Sequence, residues 1–84
     1  MEKKTKFLSS ARRHKIGIAH AMYVIENYES VQIDGTDSGE VKLYWRGIDD
    51  RGLELEVIGI EQPDLLLIIH VMPLSFRRRE RNGY

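Results

Sequence analysis

Residues 65 to 71 read Leu-Leu-Leu-Ile-Ile-His-Val, an apolar run bounded by Gln62-Pro63-Asp64 before it and Pro73 after it. The run is too short for a buried helix and does not alternate, so it reads as a central strand covered on both faces. Pro73 has no N–H to give to a ladder and ends it.

The preceding segments read as the neighbours such a strand needs. Val41, Leu43 and Trp45 alternate with Lys42, Tyr44 and Arg46, and Leu53, Leu55 and Val57 alternate with Glu54 and Glu56. The Asp- and Gly-rich stretch between them, residues 48–52, makes the pair a hairpin. Keeping the odd-numbered apolar residues on one face requires paired residue numbers to sum to an even value, for instance Arg46 opposite Glu54 and Tyr44 opposite Glu56. Tyr44, Arg46, Glu54 and Glu56 then share a polar face. Val31–Ile33 adds a short strand, read as an exposed edge.

Upstream the period is helical. Ile18, Met22 and Ile25, with Ala21 and Tyr28 beside them, recur at spacings of three and four. Gly17 interrupts the pattern, which predicts a short first turn or helix around 9–15, a hinge, and a main helix over about 18–28. Ser9 or Ser10 would cap the first and Gly17 the second. The expected architecture is α+β: an N-terminal helix pair packed on a small antiparallel sheet of three to four strands, then a short C-terminal helix or tail from Ser75. The 84 residues make a single domain, 1–84.

The net charge is zero, but it is segregated. Residues 1–15 hold six Lys and Arg against Glu2, a net of +5; residues 77–81 hold four Arg against Glu80, a net of +3. Residues 16–76 carry eleven Asp and Glu against Lys42, Arg46 and Arg51, a net of −8. Two basic ends that meet in the fold would form a phosphate-binding patch, whereas charged ends that stay apart merely solubilise the domain. No cysteine is present, which excludes disulfides and thiolate metal sites and favours a reducing compartment. With no stretch long enough for a signal peptide or membrane span, the expectation is a soluble cytoplasmic protein.

His70 ends the apolar run, and whether it faces the helix or the polar face turns on the exact length of the connection at 62–64. A lone histidine there is equally well a rim residue satisfied by a backbone carbonyl. His14 sits among Arg12, Arg13 and Lys15, and His20 reads as a surface residue. Three histidines without clustered carboxylates give no metal signature, and no Gly-rich phosphate loop or nucleophile elbow is present, so no cofactor is implied. What remains suits RNA cleavage without a metal, which needs a base for the 2′-hydroxyl, cations for the phosphorane and an acid for the leaving oxygen. The same face is also what a solvated sheet with Arg-Glu pairs looks like.

Three stretches, "RRHKIGIAHAMYVI", "YWRGIDDRGLELEVIGIE" and "LLIIHVMPLSFRRRE", resemble in order and spacing the BrnT-like toxins of bacterial type II toxin-antitoxin systems, which belong to the RelE-like ribonuclease fold. The likeness spans about residues 12–80. It rests on Arg13-His14 before the Gly17 hinge, the Arg51-Gly52 turn, and the arginine-rich segment from Arg77 to Arg81. Where that family's last strand commonly ends in Ser-Ala-Arg, this chain has His70-Val71-Met72, and His70 is read as replacing the missing group.

The resemblance implies a metal-independent endoribonuclease acting on mRNA and neutralised by a cognate antitoxin protein, as a homodimer or a toxin–antitoxin hetero-oligomer. His14 and His70 would be the acid and base and Arg46 the phosphate stabiliser, with Arg12, Arg13, Arg77 and Arg78 as RNA contacts. The rival expectation is a non-catalytic interaction module that pairs through its sheet edge at Val31–Ile33.

Overall fold

The computed structural model describes residues 4–33 and 40–74. The chain runs through β1 (Lys4–Phe7), a 3-10 turn (Ser9–Arg12), α1 (Ile18–Asn27), β2 (Val31–Ile33), β3 (Val41–Ile48), β4 (Glu54–Glu61) and β5 (Leu65–Pro73). The strands form one sheet in the order β1-β5-β4-β3-β2, and α1 packs against β3 and β4. The apolar run is internal to the sheet as expected, with β4 antiparallel on one side and β1 parallel on the other.

The expected helix pair on three to four antiparallel strands is therefore corrected to one α-helix on a five-stranded mixed sheet. The unforeseen strand is β1, whose Lys-Thr-Lys-Phe reads as a charged tail. Its physical reason is the second edge of β5. The hairpin pairs only one edge of that strand, and unpaired N–H and C=O groups along an apolar strand are costly. Lys4 to Phe7 pair with Leu65 to Ile68 and supply the missing partners, while Phe7 packs on the core. A parallel neighbour needs a long crossover, and everything from Leu8 to Asp64 is that crossover, so no local pattern announces it.

The same edge explains why the first helix is a single 3-10 turn. Past the end of β1, the Leu8 amide donates to the Ile68 carbonyl at 3.0 Å and the Ser10 hydroxyl to the Ile69 carbonyl at 2.8 Å. Ser10 thus ties the turn to β5, and neither serine caps a helix. Ala11, 1% exposed, is pressed into the core. Gly17 does stand at the N-cap of α1, in extended conformation. The helix is seated through Ala21 and Val24, both fully buried in the cluster that contains Trp45, Leu55, Val57, Ile68 and Val71. Ile18, expected on the buried face, is 45% exposed, because the face that packs on the sheet is the one carrying Ala21, Val24 and Ile25.

The hairpin forms with the expected parity but two residues out of the illustrated register: Arg46 lies opposite Glu56, and Ile48 opposite Glu54. The turn consequently spans Asp49 to Leu53, with Leu53 outside the strand and exposed. Gly47 is required where the helix's end meets the sheet. A Cβ there would lie 2.3 Å from the ring of Tyr28, closer than any real contact. The expected C-terminal helix or tail lies outside the described residues. Among the described residues, no helix is long and apolar enough to cross a membrane.

Candidate functional site

The sheet face opposite α1 carries Tyr44 and Arg46 from β3, Glu54 and Glu56 from β4, and His70 from β5. Pairing aligns Tyr44, Ile58 and His70 across three strands, and Arg46, Glu56 and Met72 in the next row. Glu56 is thus diagonal to both Tyr44 and His70, a separation that long side chains can span. Its Oε1 accepts from the Tyr44 hydroxyl at 3.0 Å and its Oε2 lies 2.9 Å from His70 Nε2. Glu56 is 2% exposed, although it belongs to the polar alternation of β4. Arg46 reaches diagonally as well, donating from Nε to Glu54 Oε2 at 3.0 Å, and that hydrogen bond holds its guanidinium pKa above the ordinary value. The pairs Arg46–Glu54 and Tyr44–Glu56 expected from the sequence therefore exist as side-chain contacts even though the backbone register differs.

His70 reaches this face because of a β-bulge. From Glu61 to Gly59 the strands pair as Glu61–Leu66, Ile60–Leu67 and Gly59–Ile68; after the shift they pair as Ile58–His70, Val57–Val71 and Glu56–Met72. Ile69 is the extra residue. Were Ile69 paired in the ladder instead of bulged, the earlier register would continue, with Ile69 opposite Ile58 and His70 opposite Val57, on the core face. The bulge, and not the 62–64 connection, decides the question that the sequence left open.

His14 follows the 3-10 turn that rides on β5, and its ring meets that of His70 edge-to-face with centroids 6.4 Å apart. Two of the three expected catalytic residues are therefore brought together, and Arg46 stands on the same face two strands away. Arg12 and Arg13 are exposed on the segment beside the C-terminal half of β5. Arg77, Arg78 and the expected meeting of the two basic ends involve residues outside the described ones. From the sequence Glu56 stands out only as one of the polar face's chemically capable residues, not as a site residue; the signal of its burial is a carboxylate flanked by Leu55 and Val57 in the most apolar part of the hairpin.

A second cluster lies at the hairpin turn. His20, read as a surface residue, places Nδ1 2.6 Å from Asp50 Oδ1 and so ties the first turn of α1 to the hairpin. Asp49, 3% exposed, accepts from the amides of Arg51 and Leu53 through Oδ1, and from Arg51 Nε and Nη2 through Oδ2. Ligand atoms of His20, Asp49 and Asp50 lie within 4.8 Å of one another, but both Asp49 oxygens are committed to donors, one a guanidinium. The cluster fits a turn lock better than a cation site.

Burial pushes the Asp49 carboxyl up, and the hydrogen bonds from the Arg51 side chain and the Leu53 and Arg51 amides outweigh it, leaving the pKa below the ordinary value. A folded pKa lowered in this way contributes stability that is present above the unfolded value of about 3.9 and is lost as pH falls through the folded value. Asp49→Asn is expected to be less stable than the parent chain at pH 7, with the gap narrowing below about pH 4. Urea denaturation of both chains across pH 2.5 to 7 measures it; a constant gap would mean that the carboxylate's charge contributes nothing.

Compared with protein-family models, curated proteins and solved structures, the chain matches none.

Proposed function

We propose that the chain is a metal-independent endoribonuclease, the toxin of a toxin–antitoxin pair, acting on mRNA and neutralised by a cognate antitoxin. The observation that carries this reading is the meeting of His14 and His70 beside a carboxylate that is itself anchored by a tyrosine. One imidazole takes the proton of a ribose 2′-hydroxyl as that oxygen bonds to the adjacent phosphorus. The P–O5′ bond then breaks, and the other imidazole protonates the departing 5′-oxygen, leaving a 2′,3′-cyclic phosphate. Arg46 faces the charge that develops on the phosphorane; its bond to Glu54 uses Nε, and a guanidinium has further N–H donors for phosphate oxygens. Arg12 and Arg13 would hold the RNA backbone next to this pair, joined by Arg77 and Arg78.

The test is cleavage of purified RNA in the presence of a chelator, with end-group analysis of the products and growth measured on expression. The parent chain should leave cyclic phosphate ends and arrest growth. His70→Gln and His14→Gln keep a hydrogen-bonding side chain but no proton-transfer group, and each should lower the cleavage rate by about 10²–10⁴-fold. Cleavage by His70→Gln at the parent rate would remove the catalytic assignment.

The rival reading, a non-catalytic module, draws on a separate observation: β2 is an outer strand of the sheet and Val31 on it is 65% exposed. It predicts no cleavage and no growth arrest, but capture of a partner strand that a proline at Gln32 would disrupt.

A further inference from the structure

We infer that Glu56 is the positioning residue of this site: its buried carboxylate, anchored by the Tyr44 hydroxyl, holds the proton on His70 Nε2 and leaves His70 Nδ1 as the nitrogen that accepts the substrate's proton. The inference rests on the ribonuclease reading for its substrate, and on the geometry alone for the tautomer.

A carboxylate only accepts, so a ring nitrogen 2.9 Å from Glu56 Oε2 must carry the hydrogen, and a neutral imidazole protonated at Nε2 has its lone pair on Nδ1. The other oxygen cannot swing away, because it holds the Tyr44 hydroxyl at 3.0 Å. Glu56 is 2% exposed while the His70 side chain is 32% exposed, so the orienting group is shielded and the group it orients is reachable. A buried carboxylate is costly unless its bonds are made. A leucine at this position of β4 would carry no such cost. Among the groups on this face, Tyr44 bonds Glu56, Arg46 bonds Glu54, and His14 meets His70 by its ring edge. This makes His70 the base, through Nδ1, and His14 the acid that protonates the 5′-oxygen. As His70 gains the proton, the adjacent carboxylate stabilises the imidazolium, while the 2′-oxygen bonds to phosphorus and the P–O5′ bond breaks.

The experiment has two arms on the full chain. Long-range nitrogen–proton correlation spectra of ¹⁵N-labelled protein should show neutral His70 protonated at Nε2, and Glu56→Gln should replace that signature with a tautomer mixture. In the RNA assay Glu56→Gln should lower kcat at least about tenfold, by no more than the 10²–10⁴-fold loss of His70→Gln. KM should stay nearly unchanged, the pH profile should move, and Glu56→Asp should recover part of the rate. A parent spectrum with the proton on Nδ1, or a folded Glu56→Gln with the parent kcat and pH profile, overturns the inference. A parent chain that cleaves no RNA yet shows the Nε2–H signature and its loss in Glu56→Gln overturns the ribonuclease reading and leaves the positioning role standing. If Glu56→Gln does not fold, Tyr44→Phe decides: it should shift the His70 signature in the same direction, and an unchanged signature overturns the inference.

Discussion

Leu55→Ala is expected to bring the domain close to unfolding at room temperature. Leu55 is fully buried on β4, an internal strand, between Gly47 on one neighbour and Pro73 on the other. Truncating a leucine in such a position costs about 2–5 kcal/mol, the upper end applying where the surroundings cannot collapse into the gap. Collapse is restricted here, since Gly47 is already in contact with the Tyr28 ring and the strand is hydrogen-bonded on both sides. Total stability for a domain of this length is of the order of 4–13 kcal/mol. The loss should lower the thermal midpoint by about 10–30 °C. Leu53→Ala, two residues earlier and 44% exposed, is the control and should change stability by less than about 0.5 kcal/mol. Urea denaturation of both variants measures the contrast, and equal effects would mean that the hairpin's register is wrong.

Deleting Val71 should do more damage than deleting Ile69, although each removes one residue from β5. Without Ile69 the bulge closes: Gly59–Ile68 is followed directly by Ile58–His70 and Val57–Val71, and every remaining side chain keeps its face. Without Val71, keeping the Gly59–Ile68 and Glu56–Met72 pairs closes the ladder the other way, with Ile69 opposite Ile58 and His70 opposite Val57, so His70 enters the core in place of the valine. Losing the burial of a valine costs about 1.5–3 kcal/mol, and an imidazole left without a partner in the core costs about 1–3 kcal/mol more. The Ile69 deletion gives up the carbonyl that accepts from Ser10 but should retain the His70–Glu56 pair. Thermal unfolding and the His70 ring signals distinguish these outcomes. Two deletion variants of equal stability, with His70 bonded to Glu56 in both, would show that the bulge does not set the face.

Much of the local structure was legible in the sequence. The two periods separate α1 from the hairpin, Gly17 marks the helix start, the Asp- and Gly-rich stretch marks the turn, and odd-even parity gathers Tyr44, Arg46, Glu54 and Glu56 on one face. Each depends on neighbours within a few residues, where propensity and alternation act. His14 and His70 could be named as chemically capable residues, but their meeting could not be derived, since 56 positions separate them and only the packing of the 3-10 turn on β5 brings the rings together.

The sequence by itself determined α1, the hairpin of β3 and β4 with its turn, and β5 as a strand, because periodicity and turn chemistry are local properties of the chain. Tertiary structure alone decided three things. Lys4 to Phe7 became a strand because β5 had a second edge to satisfy, a demand made 61 residues away. Ser9 to Arg12 formed a 3-10 turn against the edge of β5, where the Ser10 hydroxyl, a candidate helix cap, donates to the Ile69 carbonyl instead. His70 came to face Glu56 because one extra residue in a ladder inverts every side chain beyond it, and whether a strand bulges is decided by what packs on both of its faces together.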